Sequence, residues 1–188
     1  MDVVIKRARA VAGRIAAPPS KSMAHRAVLC AALAKGTSHL HHLAFSKDIS
    51  ATLGAAGRLC ARVTTGENNA VVEGLGRFLP VDAPVDCCES GSTLRFLLPL
   101  AMTLGREVTF TGTPRLLERV MPGLWGVTPC PGGLRVTGRL TGGVYRLPGG
   151  DTSQLISGML MALPLCREDS RLEAPGPVSR PYVDLTAW

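Results

Sequence analysis

With 188 residues, 46% hydrophobic content, 21 Gly and 14 Pro, the chain can bury a substantial core and is too apolar to be disordered. Its formal charge of +7 is spread as single Lys and Arg, and only 4% of residues are aromatic, which argues against the clustered basic face with stacking rings of a nucleic-acid partner. No stretch reaches the roughly 18 uninterrupted apolar residues of a membrane helix, and the start MDVVIKRARAVAGRI does not read as a signal peptide, so the expectation is a soluble, cytoplasmic protein with no membrane partner.

Dispersed Arg suits small anionic ligands, because the guanidinium fork matches phosphate and carboxylate. The six cysteines, at 30, 60, 87, 88, 130 and 166, form no C-x-x-C pair. Adjacent Cys87 and Cys88 suit neither zinc nor a mutual disulfide, so most of the cysteines are read as small core residues and neither metal nor cofactor is expected.

The first element in chain order follows PPSKSMAHRAVLCAALAKG, residues 18–36. Prolines keep its entry extended, small hydroxyl residues cap it, and Ala24 to Ala34 reads as a helix closed by Gly36. Lys21 and Arg26 stand at or near the positive end of that helix, where cations are disfavoured unless an anion sits among them. The alternative is a solvated helix start with both side chains turned away. HLHHL after Gly36 reads as strand, and its His39, His41 and His42 are not expected to hold a metal. Further strands are expected over 68–76, 107–112, 134–140 and 144–149, each bounded by Gly.

The opening motif has two relatives. CCESGSTLRFLLPLAMTLG (87–105) and GGDTSQLISGMLMALPL (149–165) each set a polar, small-residue loop before an apolar helix, the first with Arg95 in its early turns. Repeated strand–helix units of this kind indicate an α/β or α+β domain with buried helices. If the three helix starts converge, they form one polar pocket for a hydroxylated, anionic small molecule; otherwise each loop only caps its own helix.

These stretches, together with TGTPRLLERVM and VSRPYVDLT, resemble in order the signatures of the 5-enolpyruvylshikimate-3-phosphate (EPSP) synthase family, over nearly the whole chain. The resemblance implies one domain of the enolpyruvyl transferase fold, built from three βαβαββ units and spanning 1–188. It also implies transfer of the enolpyruvyl group of phosphoenolpyruvate to the 5-hydroxyl of shikimate-3-phosphate. Carried over by position, Lys21, Ser22, Arg26, Thr152, Ser153, Gln154 and Ser179 would contact shikimate-3-phosphate, and Lys21, Gly91, Arg115 and Gln154 phosphoenolpyruvate. Lys21, touching both, is the residue nearest to a catalytic role. Arg180 and Tyr182 stand near enough to assist, and His25 would pack or orient rather than carry protons.

The chain also departs from the family pattern. It ends where the family's first half gives way to its second, so the acid–base carboxylates and further cations are expected on a companion C-terminal domain, and this chain alone is expected to be inactive. Asp48, Asp151 and Asp184 are read as cap or turn residues. Cys88 stands where Gly is usual and is expected to crowd the phosphoenolpyruvate side. Thr152 replaces a Ser. The segment from Arg119 to Leu134 is short, so the third unit is expected to be incomplete. Two rivals remain: the enolpyruvyl transferase acting on UDP-N-acetylglucosamine, disfavoured by Ser20-Lys21-Ser22 and TSQ, and an RNA-binding βαβαββ module, disfavoured by the missing aromatics and basic clusters.

Overall fold

Serine caps decide where the first helices begin. The computed structural model describes residues 2–119, 124–147, 153–176 and 179–187. Ser20 is extended and its hydroxyl accepts from Met23 N at 3.3 Å, which satisfies an N–H that the helix start leaves free. Helix α1 therefore runs Lys21–Leu33, and begins earlier than the expected Ala24, with Lys21 and Ser22 in its first turn. Its C-cap is Ala34, not Gly36; Gly36, with φ +111°, lies inside β1 (Lys35–Leu40), the strand that carries His39.

Helix α2 (Lys47–Leu59) was not expected from the sequence; Ser46 caps it, accepting from Ile49 N at 3.3 Å. Strands β2 (Ala61–Thr65) and β3 (Ala70–Leu75) follow, and β3 lies central in an antiparallel sheet ordered β1-β3-β2. A Cβ on Gly74 would strike the carbonyl oxygens of Ala34 and Ala31, so α1 lies against β3 as closely as a bare backbone allows.

The next stretch has strand β4 (Val85–Asp86), α3 (Gly91–Met102), β5 (Val108–Thr111), α4 (Pro114–Glu118), β6 (Val127–Cys130) and β7 (Gly133–Val136). This is a full βαβαββ order. Its sheet runs β4-β5-β7-β6, with β4 parallel to β5 and the remaining pairs antiparallel. The expected strand over 134–140 stops at Val136, because Thr137 and Gly138 donate instead to the Gly126 carbonyl. Last come β8 (Gly143–Arg146), α5 (Ser153–Ala162), a 3₁₀ turn at Leu163–Leu165, β9 (Ser170–Glu173) parallel to β8, and α6 (Arg180–Ala187). The segment from Arg119 to Leu134, expected to shorten the third unit, lies in the βαβαββ stretch, after the 5-residue α4.

The core lies between α3 and α5. Every residue of α3 from Phe96 to Met102 is buried, as are Leu155, Ile156 and Met159 of α5, in line with the apolar runs of the sequence. The helices meet at Gly158, where a Cβ would sit 2.8 Å from the Arg95 carbonyl oxygen and 3.0 Å from that of Phe96. Pro99 has no N–H for the Arg95 carbonyl, which leaves that edge of α3 open to the close approach. Cys60 and Cys87 are buried in the core, which pushes their thiols up to about 11 and about 12, whereas Cys130 and Cys166 are half-buried and Cys30 and Cys88 exposed, so fewer cysteines are core residues than expected. No helix among the described residues is long and apolar enough to cross a membrane.

Candidate functional site

The helix starts open onto one cleft of about 500 Å³. Lys21 enters from the first turn of α1, Gly91, Ser92 and Arg95 from α3, and Ser153 and Gln154 from the start of α5. Asp48, Glu89, Leu116, Arg119 and Ser179 complete the lining. Three cations face two carboxylates, and three helix N-termini add their partial positive charge, so the cleft favours an anion.

Two side-chain groups set its shape. Lys21 Nζ donates to Asp48 Oδ2 at 2.6 Å, and half the lysine remains exposed, so the pair orients Lys21 more than it stabilises the fold. Across the cleft, Arg95 donates through Nη1 to Gln154 Oε1 at 3.1 Å and through Nη2 to the Arg119 carbonyl at 2.9 Å. Gln154 Nε2 in turn donates to Ser92 Oγ at 2.9 Å. Burial first, and then the neighbouring Arg119, lower the Arg95 pKa below the usual arginine value. Arg95 Nε is buried without a partner among the described residues.

The expected residues divide clearly. Lys21, Gly91, Ser153, Gln154 and Ser179 line the cleft. Ser22, Arg26 and Arg115 do not. Arg26 is 6% exposed and its donors go to Thr186 Oγ1, the Ser22 carbonyl, Ser157 Oγ and the Tyr182 carbonyl, with the guanidinium 5.1 Å from the Phe96 ring centre. It ties α1 to α5 and α6. Arg115 is exposed on α4, and Arg119, four positions on, reaches the cleft in its place. Thr152 and Asp151 lie outside the described residues. Asp48 is in the first turn of α2, as a cap-type acid, but its carboxylate holds Lys21; Asp184 lies 3.7 Å from Arg180 on α6. Cys88 is not among the residues that line the cleft, although Glu89 and Gly91 are.

Asp48, Glu89, Ser92, Arg95 and Arg119 were missed. The signal for Arg95 was its spacing, since positions 91 and 95 share a helix face. For Asp48 it was the Ser46 cap, which would have placed the acid in a first turn. Neither signal says which elements lie opposite.

The sequence model of the EPSP synthase (3-phosphoshikimate 1-carboxyvinyltransferase) family matches residues 5–125. The chain belongs to the EPSP synthase family. It is 39% identical over 189 residues to the 3-phosphoshikimate 1-carboxyvinyltransferase of Clostridium kluyveri, covering 93% of this chain and 43% of that protein. With its Clostridium perfringens counterpart it shares 35% over 198 residues, covering 99% and 47%. The chain thus spans less than half the length of these curated relatives. The fold matches a solved EPSP synthase from Acinetobacter baumannii with a TM-score of 0.77 over 92% of this chain and 42% of that one, at 24% identity.

The backbone beside the cleft turns tightly. Cys88 has φ +51°, in the left-handed region that favours glycine. Asp86 holds the turn, accepting from Cys88 N at 2.8 Å. Gly91 needs its bare Cα for another reason: a Cβ would lie 2.6 Å from Arg95 Nη1.

Proposed function

We propose that the cleft binds shikimate-3-phosphate with phosphoenolpyruvate beside it, as the substrate-binding part of an enolpyruvyl transfer whose acid–base carboxylates belong to a companion C-terminal domain. The observation that carries this reading is the convergence of three helix starts and three cations on one cleft. Both substrates are polyanions, and fixed cations offset the repulsion of bringing them together.

In this reading Ser153, Gln154 and Ser179 hold the phosphate and ring hydroxyls of shikimate-3-phosphate, and Lys21 spans both substrates. Gly91 lets backbone approach phosphoenolpyruvate, and Arg119 takes the charge-pairing role that the sequence alone assigned to Arg115. Gln154 also reaches phosphoenolpyruvate, its amide held by Arg95 and Ser92. Arg26 serves by anchoring α1, and Ser22 gives it a carbonyl. The 5-hydroxyl oxygen attacks C2 of phosphoenolpyruvate while a proton reaches the methylene carbon. The resulting tetrahedral intermediate expels phosphate while its C3 methyl group loses a proton and the double bond re-forms, so the proton gained at C3 is given back and the net loss is the hydroxyl proton.

Calorimetric titration of the chain with shikimate-3-phosphate tests the reading, with Lys21→Ala as control. Saturable binding, weakened about tenfold or more in the variant, is expected for loss of a charge-assisted contact. A folded wild-type chain with no saturable binding overturns it.

A further inference from the structure

A buried chain of hydroxyls runs behind the cleft and touches no solvent. Thr93 Oγ1 on α3, fully buried, lies 2.6 Å from Ser90 Oγ, 2.6 Å from Thr52 Oγ1 of α2 and 3.4 Å from the Asp48 carbonyl oxygen. Thr52 Oγ1 lies 3.1 Å from that same carbonyl and 2.7 Å from His25 Nδ1 of α1. One line of polar atoms thus joins three helices.

Its direction follows from counting hydrogens. His25 Nε2 is buried without a partner among the described residues, and an unfilled acceptor is more easily tolerated than an unfilled N–H. The ring therefore carries its hydrogen on Nδ1 and donates to Thr52. Thr52 then donates to Thr93, and Thr93 to Ser90, whose Oγ also accepts from Thr93 N at 3.2 Å as the N-cap of α3. Each threonine gives one hydrogen and receives one.

The line touches the cleft at Ser90, and Thr52 in its middle stands one helical turn after Asp48 on α2. Asp48 holds Lys21 through its carboxylate, and Ser90 immediately precedes Gly91 and Ser92. We propose that Thr93 is a positioning residue of the cleft, its buried hydroxyl setting the separation between the Lys21–Asp48 pair and the Gly91–Ser92 edge. An apolar residue would fill the same space, but it would leave Thr52 Oγ1 and Ser90 Oγ without the partner between them and give no preferred register between α2 and α3. The inference rests on the reading that shikimate-3-phosphate binds in this cleft.

Two variants at one position separate hydroxyl from packing. Thr93→Val keeps the shape and removes Oγ; Thr93→Ser keeps Oγ and removes the methyl. Thermal unfolding first establishes that each is folded, and calorimetry then measures shikimate-3-phosphate affinity. Thr93→Val is expected to bind about tenfold more weakly than wild type and Thr93→Ser within about twofold of it. Wild-type affinity in Thr93→Val, or weaker binding by Thr93→Ser than by Thr93→Val, overturns the proposal in favour of packing. The amide resonances of Lys21 and Asp48, recorded without ligand, are expected to shift in Thr93→Val and to return in Thr93→Ser. If the wild-type chain binds no shikimate-3-phosphate, the functional reading fails and these resonances still decide: unmoved Lys21 and Asp48 amides in Thr93→Val overturn the positioning role. Should Thr93→Val not fold, Thr52→Val with Thr52→Ser as its rescue gives the same comparison from the α2 side.

Discussion

Arg95 Nη1 lies 3.1 Å from Gln154 Oε1, which orients the Gln154 amide from a helix 59 residues earlier in the chain. With Oε1 accepting from Arg95 and Nε2 donating to Ser92, the amide cannot flip without losing two bonds, and one Nε2 hydrogen is left over. Arg95→Lys keeps the charge but not the fork, so it cannot serve Gln154 and the Arg119 carbonyl together. Shikimate-3-phosphate affinity is expected to fall about tenfold, with the cooperative unfolding transition retained. Calorimetry beside thermal unfolding checks this.

Gly91→Ala presses on the same guanidinium. The added Cβ would sit 2.6 Å from Arg95 Nη1, the far end of a flexible side chain, so the arginine yields rather than the helix. Stability should change by less than about 1 kcal/mol while anion binding weakens. A large drop in the urea midpoint would instead mean that backbone had moved.

His25 makes stability depend on pH in a stated direction. Burial dominates, and Lys21 and Arg26 add to it against the opposing pull of Asp48, lowering its pKa from 6.5 to about 4. The unfolded chain thus binds more protons between those values. The contribution of neutral His25 is complete above pH 6.5 and is lost as pH falls toward about 4. Its size is of order 3 kcal/mol. Urea midpoints measured from pH 7 to 4 should fall more steeply for the wild-type chain than for His25→Gln.

Cys88→Gly removes a side chain from left-handed backbone. The φ of +51° costs a residue with Cβ about 1–2 kcal/mol, part of which returns as the greater freedom of glycine in the unfolded chain. The Sγ contact to Asp86 Oδ2 at 3.6 Å is exposed and weak. A gain of up to about 1 kcal/mol is expected in the unfolding free energy. A loss would place the stabilising contribution of Cys88 in that contact.

Much of the architecture was legible locally. The apolar runs after the second and third loops are α3 and α5, and the glycine-bounded β-branched stretches contain β3, β5 and β8. Helix α2 escaped because Gly54 and Gly57 interrupt a small-residue run of weak propensity, and its burial against α1 and β2 outweighs that cost. Strands β6, with Pro129, and β9, reading SRLE, carry little strand signal and form because partners with matching register lie alongside.

By itself the sequence determined the family, the three apolar helices behind polar loops and the types of residue their starts present, because capping, apolar periodicity and signature order are local properties of the chain. Which arginines face the cleft was decided only by tertiary structure. Arg26 and Arg95 both stand near the start of an apolar helix, yet one is enclosed by Ser157, Tyr182 and Thr186, and the other opens onto the cleft beside Gln154. Their neighbours come from 59 to 160 residues away in the chain, and local spacing carries no record of which elements those will be.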